Sequence, residues 1–172
     1  DPLLRREKNG GRDAFVLRLK NQGSQIDYSG FIGGAEDDQA NSLAVDGLGR
    51  AYVTGFSSCT GGGNCSFPTV VGPNLTRAAS ADASRPSMDG FIARVKADGS
   101  SLDYAGFIGG DGYFDVGHAI AVDASGSAYV AGATDSVTGL PAAPGFRSIP
   151  SGDASDGFVA RISASGAAVD RF

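Results

Sequence analysis

The feature that most constrains this chain is an internal repeat. Residues 89–110, DGFIARVKADGSSLDYAGFIGG, occur earlier as residues 13–34, DAFVLRLKNQGSQIDYSGFIGG, with 13 of 22 positions identical. The segment begins a third time at Asp156, and a second block, residues 43–56, recurs as residues 120–133. Self-similarity at this spacing is typical of proteins in which one supersecondary unit stacks on the next. The repeat predicts an architecture more directly than it predicts an activity.

The residues within the repeat predict strands. Phe15, Leu17 and Leu19 alternate with other side chains, and residues 91–96 alternate in the same way, which is the period of a β-strand. Glycine-containing turns follow, and each second strand ends at a Gly-Gly pair. The sequence therefore predicts an all-β fold of four antiparallel strands per unit. In the first complete unit we expect strands near residues 43–46, 51–55, 91–96 and 102–108. In the second we expect them near 120–123 and 128–132 and in the copy that begins at Asp156.

Equivalent phenylalanines open one strand of each copy. Phe15, Phe91 and Phe158 occupy the same place in the repeat, and small or apolar residues follow each of them at alternate positions. We expect all three rings to be buried at equivalent places between successive sheets.

Composition narrows the class of protein. The 172 residues carry a net charge of −5, which argues against a nucleic-acid partner because phosphate binding needs a basic surface. No apolar run approaches the length of a membrane span. The chain begins at Asp1, so we expect a processed product or a fragment, and we favour a secreted, extracellular or cell-surface protein.

The repeat resembles a known family. Three successive motifs are similar to those of the bacterial seven-bladed beta-propeller repeat (SBBP) family. They are A-V-D-x-x-G-x-A-Y-V-x-G, then D-x-F followed by R, G-S and D-Y, and then F-I-G-G. The resemblance implies four-stranded propeller-type blades, about two and a half in this chain, in secreted or surface proteins. It brings no catalytic residues, and we expect no enzyme activity. The expected units are an arm outside the repeat at 1–12, a half blade at 13–34, a blade at 43–110 with a long loop 57–88, and a blade at 118–172 with a loop 134–155.

Two cysteines lie in the longer loop. Cys59 and Cys65 flank the flexible run Thr-Gly-Gly-Gly-Asn. A metal site would need further cysteines or histidines, and the one histidine, His118, lies in another segment. A local disulfide is the stronger hypothesis for a secreted chain.

Acidic residues follow each F-I-G-G. Among them, Asp111 and Asp115 are candidate calcium ligands, since Ca²⁺ takes several oxygen ligands in glycine-rich loops. Aspartates also cap turns without a metal, so that alternative stays open. No other cofactor is expected.

The predicted function is structural. A chain that starts in mid-blade and has too few blades to close is expected to assemble head to tail with copies of itself, by completing blades between chains, as a filament or a ring. The residues predicted for assembly are Arg5, Arg6, Phe15, Phe31 and Phe172. Two alternatives remain, a carbohydrate-binding or adhesion module with surface glycans as partners, and a fragment of a longer extracellular propeller.

Overall fold

The computed structural model describes residues 4–61, 64–78, 84–141 and 155–171. In these ranges the chain forms ten strands and one turn of 3-10 helix, Asn21–Gly23. No described helix therefore has the length needed to cross a bilayer. The strands are β1 Ala14–Lys20, β2 Gln25–Ile32, β3 Asp38–Val45, β4 Ala51–Cys59, β5 Ser87–Val95, β6 Leu102–Ile108, β7 Asp115–Val122, β8 Ala128–Thr134, β9 Asp156–Ile162 and β10 Val169–Arg171.

The strands form three antiparallel sheets, which confirms the all-β prediction. β1 and β2 pair as a half blade, β3 to β6 form the first blade, and β7 to β10 form the second blade. In both blades neighbouring strands follow chain order, as expected for two hairpins in series.

The first strand of each blade begins earlier than its apolar residues suggested. β3 starts at Asp38 and β7 at Asp115, whereas the apolar pattern begins near residues 43 and 120. The early residues pair with the long second strands, and a β-bulge lies between Ala40 and Ser42 and again between Gly117 and Ala119. A bulge shifts the alternation by one residue, so the pattern could not be followed through it.

Two glycines are required where the second and third strands pair. Gly55 lies opposite Phe91, and Gly132 lies opposite Phe158. A side chain at Gly55 would overlap the backbone carbonyl oxygen of Gln39. The glycine in the Y-V-x-G run is thus explained by close backbone approach inside the blade.

The core lies between the sheets. One apolar cluster joins the half blade to the first blade and includes Val16, Ile32 and Phe91. The other joins the first blade to the second and includes Ile92, Tyr104 and Phe158. Phe91 and Ile92 are neighbours in β5 that point into different clusters, so the first blade is buried on both faces.

The residues before β1 lie against the half blade. Arg5 and Phe31 exchange two backbone hydrogen bonds, with N–O distances of 3.3 and 2.8 Å, and Leu4 is buried beside Gly30. In the first blade Asn74 occupies the same position, since its carbonyl accepts the N–H of Phe107 at 2.8 Å. The arm therefore runs along the outer edge of β2 as the long loop runs along β6.

Candidate assembly surfaces

The two junctions between sheets show how blades pack. In each junction, a sheet contacts the preceding sheet through the face that carries the repeated phenylalanine. It contacts the following sheet through its opposite face, which carries the residue directly after that phenylalanine. Phe91 is fully buried against the half blade, and Phe158 is buried against the first blade. Each blade thus has one face of each type.

Phe15 corrects the prediction that all three phenylalanines are buried. Its side chain is 67 % exposed, although Phe91 and Phe158 are buried as predicted. The reason is positional, because Phe15 points to the side on which a preceding sheet would lie, and the described residues place no sheet there. Val16, its neighbour in β1, is buried against the first blade.

The N-terminal face is the outward face of the half blade. Phe15, Leu17, Leu19 and Ile26 are exposed on it, and Phe31 is half-buried opposite Phe15. The matching residues of the first blade are all buried in the junction with the half blade, and they are Phe91, Ala93, Val95, Leu102 and Phe107. A contiguous apolar surface of this kind marks an interaction site.

The C-terminal face is the outward face of the second blade. Val159 is 51 % exposed, whereas Ile92, its equivalent in the first blade, is fully buried. Tyr129 is likewise exposed where Tyr52 is buried. The described chain therefore ends in two complementary blade faces that are open to solvent.

The other residues predicted for assembly are distributed as follows. Arg6 is exposed and Arg5 is half-buried, and both line the depression that opens beside Phe15 and Leu17. The guanidinium of Arg5 donates a hydrogen bond of 3.1 Å to the carbonyl of Ser66. Phe172 lies outside the described residues.

Ion pairs that recur in the repeat hold each blade and reach the next one. Arg94 pairs with Asp103 across β5 and β6, with an N–O distance of 2.9 Å, and Arg18 pairs with Asp27 at 3.4 Å. Arg94 also donates a hydrogen bond of 2.6 Å to the carbonyl of Ala164 in the second blade. Arg18 makes the matching 2.7 Å bond to a carbonyl of the first blade. These charged residues therefore join the two strands of a hairpin and contact the following sheet.

A second polar feature at each junction is a pair of aspartates around a glycine. Asp13 and Asp38 both approach Gly33, and Asp89 and Asp115 both approach Gly109. Burial is the main cause that raises the pKa of Asp38 to about 6, and the charge of Asp13 adds to it. Burial likewise raises the pKa of Asp89 to about 6.

An arginine forms a direct ion pair with one of these four aspartates. Arg77, from the long loop, donates to Asp89 at 2.7 Å and to the carbonyl and hydroxyl of Ser87 at 2.8 and 2.9 Å. Its side chain is 2 % exposed. Both pairs retain a buried carboxylate oxygen without a hydrogen-bond partner among the described residues, Asp38 Oδ1 in one and Asp89 Oδ2 in the other. Arg77 stabilises a junction in which two acidic groups are buried.

The cysteines of the long loop are joined. Cys59 and Cys65 form a disulfide with a Cα–Cα distance of 5.7 Å, in agreement with the sequence hypothesis. Cys59 is the last residue of β4, so the bond ties the start of the loop to the sheet. The carbonyl of Cys65 accepts the N–H of Ala35 at 2.6 Å, which links this loop to the turn after β2.

The candidate calcium ligands are both occupied by hydrogen bonds. Asp111 accepts bonds from the backbone of Val137 and Thr138 at 3.0 and 2.8 Å, and the Thr138 bonds are the main cause that lowers its pKa. Asp115 is buried and accepts bonds from Gly110 and Ser136 at 3.0 and 2.8 Å. Among the described residues no three His, Cys, Asp or Glu side chains could share a metal ion. Calcium binding here stays a prediction.

The long loop presents little aromatic surface. Phe67 is buried, with its ring centroid 5.0 Å from that of Phe91 and 5.1 Å from that of Phe107. It therefore fills the junction beside the half blade and is not available to stack on a sugar ring.

Sequence reasoning missed several residues of these surfaces. Arg77 occurs once, in a loop with no repeat, so nothing in the pattern singled it out. The exposure of Leu43 and Val45 was also missed, since they match apolar positions of the repeat. Their equivalents in the repeat are Ile120 and Val122. The exposure of each pair depends on which sheet lies beside its strand, and the sequence pattern does not show this.

The sheets and their junctions define a stack of propeller-type blades. Residues 26–58, which span most of β2 and all but the last residue of β4, match the family model described as SBBP, Beta-propeller repeat. The match confirms the family resemblance over those residues. No curated protein matches the chain.

Proposed function

We propose that this chain is a structural module, and not an enzyme, that assembles head to tail with copies of itself in an extracellular setting. The observation that carries the proposal is the contrast between equivalent faces. The face that is exposed around Phe15 is buried around Phe91 and Phe158. Burial of apolar area is the main driving force for association.

The two open faces are of opposite type, which favours a head-to-tail contact. The N-terminal face is the type that receives a preceding blade, and the C-terminal face is the type that receives a following one. Such a heterologous contact closes into a ring if the rotation divides a full turn, and otherwise continues as a filament.

The internal junctions describe the contact expected between chains. Tyr28 packs on Gly99 of the first blade, and Tyr104 packs on Gly166 of the second. The equivalent glycine of the half blade, Gly23, has open space around it. An incoming sheet would cover this glycine together with Phe15 and Leu17.

The disulfide supports the extracellular part of the proposal. Disulfides persist in oxidising compartments and are rare in the cytosol. Cys59 and Cys65 are paired across a short loop.

Two single substitutions and their mixture test the proposal. Leu17→Lys introduces a charge on the N-terminal face, and Val159→Lys does so on the C-terminal face. Light scattering over a concentration series should show particles of the parent chain that become larger as concentration rises. Each variant should show no such increase in particle size. Leu48→Lys, in the exposed turn after β3, serves as the matched control and should assemble like the parent.

The mixture separates head-to-tail assembly from a symmetric dimer. Each variant keeps the face that the other has lost, so an equal mixture should form heterodimers and nothing larger. A parent chain that stays monomeric at all concentrations, or a mixture that does not pair, would rule the proposal out.

A further inference from the structure

A cleft of about 560 Å³ opens where the long loop leaves β4 and returns to β5. We call it the β4 cleft, and its volume lies within the usual range of small-molecule sites. Its lining combines an apolar floor with charged and hydroxyl groups, and the residues that matter are Arg12, Glu36, Asp37, Phe56, Thr60 and Met88.

The apolar residues of the β4 cleft are not residues that every blade needs. Phe56 follows the glycine of the Y-V-x-G run, and the second blade has Ala133 at that position. Met88 precedes Asp89, and the residue before the equivalent Asp156 is Ser155. The second blade forms with small residues at both positions, so the packing of a blade does not require the larger side chains.

The floor of the β4 cleft lies on one face of the first blade. Phe56 and Ser58 are two residues apart in β4 and therefore share a face of the sheet. Gly90 lies opposite Phe56 in β5 and has no side chain to cover the ring, and Met88 lies opposite Ser58. Phe56 and Met88 both remain half-buried, which leaves part of an aromatic ring and of a thioether chain open to a ligand.

The charged groups of the β4 cleft are held in place by hydrogen bonds. Glu36 accepts the backbone N–H and the hydroxyl of Thr60, both at 3.1 Å. Asp37 accepts the guanidinium of Arg12 at 2.9 Å and the backbone N–H of Arg12 at 2.8 Å. Each oxygen of Glu36 accepts one of the Thr60 bonds and keeps a second lone pair for a ligand. The polar groups are therefore already oriented before a ligand arrives.

The charges and the strand pairing narrow the class of ligand. Two carboxylates and one guanidinium give the β4 cleft a negative balance, which disfavours an anionic ligand. β4 lies between β3 and β5 in its sheet, and β5 lies between β4 and β6, so neither strand offers a backbone edge to an extended peptide. A wholly apolar ligand would remove water from the charged groups without replacing their hydrogen bonds.

A neutral sugar ring matches these conditions. One side of a pyranose ring carries C–H groups that pack on an apolar floor, and its rim carries hydroxyls that donate and accept hydrogen bonds. A hydroxyl can donate to Glu36 and accept from Arg12, and the charge of each protein group strengthens the bond. The sugar brings no charge that the cleft would have to neutralise.

We infer that the β4 cleft binds one neutral pyranose unit of a glycan, with Phe56 as the surface on which the ring packs and Glu36 as an acceptor for its hydroxyls. The inference does not depend on the proposed function, because none of the residues that line the cleft belongs to the N-terminal or the C-terminal face. It gives a place to the carbohydrate-binding alternative that the sequence left open.

Saturation-transfer difference NMR of the full chain tests the inference. The probes are the methyl pyranosides of glucose, galactose, mannose and N-acetylglucosamine, titrated into the millimolar range because a single sugar unit makes few contacts. We expect saturable transfer to at least one of them, strongest at its ring C–H protons. The uronic acid that matches the best neutral probe should bind at least about tenfold more weakly, because it brings a negative charge to the cleft.

Three variants locate the site. Phe56→Ala removes the packing surface and should weaken binding by about tenfold. The second blade carries alanine at this position, so the variant should fold. Glu36→Gln keeps the shape of the side chain but removes its charge, and it should weaken binding severalfold. Phe15→Ala removes another exposed aromatic ring and is the matched control, which should bind like the parent.

Each outcome decides the inference. Absence of saturable transfer to all four neutral glycosides overturns it. Binding that Phe15→Ala abolishes and Phe56→Ala leaves unchanged also overturns it, because the sugar then lies on the N-terminal face. Tighter binding of the uronic acid than of its neutral partner would contradict the assigned charge of the site. Light scattering without sugar decides the proposed function separately, since a chain can bind a sugar whether or not it assembles.

Discussion

Phe15 and Phe91 occupy equivalent positions in two strands of the same repeat, and yet one ring is 67 % exposed and the other is fully buried. The difference lies in what precedes each sheet. Phe91 faces the half blade and contacts Phe67, whereas the described residues place no sheet in front of Phe15. The same side chain is therefore a core residue in one copy and a surface residue in the other.

These two phenylalanines form a matched pair for stability measurements. Phe91→Ala should lower the free energy of unfolding by about 3–5 kcal/mol, the usual range for truncating a buried phenylalanine. Phe15→Ala should lower it by less than about 0.5 kcal/mol, because the ring is exposed. Urea unfolding at low protein concentration gives both values. Equal effects of the two substitutions would contradict the assignment of the faces.

The ion pair between Arg77 and Asp89 gives a second prediction. Both side chains are buried, so Arg77→Met leaves a buried carboxylate without its partner and should lower the free energy of unfolding by about 3–5 kcal/mol. Asp89→Asn in the same chain removes that charge and should restore part of the loss. Chemical denaturation of the two single variants and the double variant measures the coupling.

Arg12→Ala is the control for this pair. Arg12 and Asp37 form an ion pair with an N–O distance of 2.9 Å, but both side chains are exposed. Its loss should leave the free energy of unfolding nearly unchanged, because an exposed ion pair is screened by solvent. A loss of similar size for Arg12→Ala and Arg77→Met would show that burial is not what makes the Arg77 pair important.

The disulfide can be tested by chemistry and by stability. Alkylation of the native protein without a reductant should leave its mass unchanged, and alkylation after reduction should add two groups. Replacing both cysteines by serine should cost about 2 kcal/mol, the chain-entropy contribution expected for so short a loop. The loss of stability should be local to the loop and to the end of β4, where Cys59 lies. Two reactive thiols in the native protein would contradict the bond.

Much of the fold could be read from the repeat, and the reasons for the exceptions are physical. Alternation and glycine turns located the hairpins, because each side chain in a strand reports directly on its face. The bulge after Ala40 hid the first part of β3, since it shifts that alternation. The exposure of Phe15 could not be predicted from a repeat position alone, because burial depends on which neighbour is present.

The candidate surfaces were predictable only in part. The sequence indicated that the half blade would be open, but not that Leu43 and Val45 of β3 would be exposed with it. The role of Arg77 was hidden because a loop residue acquires its partner only after the loop folds back on β5. Long-range contacts of this kind leave no periodic signal.

We expect the buried aspartates Asp38 and Asp89 to make the folded chain more stable in mild acid than at neutral pH. Burial raises the pKa of Asp38 and of Asp89 to about 6, from an ordinary value of 3.8. Between those values the folded chain holds more protons than the unfolded chain, so stability falls as pH rises. Their contribution is complete below about pH 4 and is lost as pH rises through about 6.

Asp38→Asn isolates this effect from the other acidic groups. Asp46 and Asp123, for example, have lowered pKa values because they accept hydrogen bonds in turns, and they contribute the opposite slope. The amide oxygen that this substitution introduces can keep the bond from the Gly34 N–H, which Asp38 accepts at 2.6 Å. The difference in unfolding free energy between variant and parent, measured from pH 4 to 8, should therefore favour the variant increasingly up to about pH 7, by on the order of 2 kcal/mol. A difference that does not change with pH would show that Asp38 is ionised in the folded chain throughout this range.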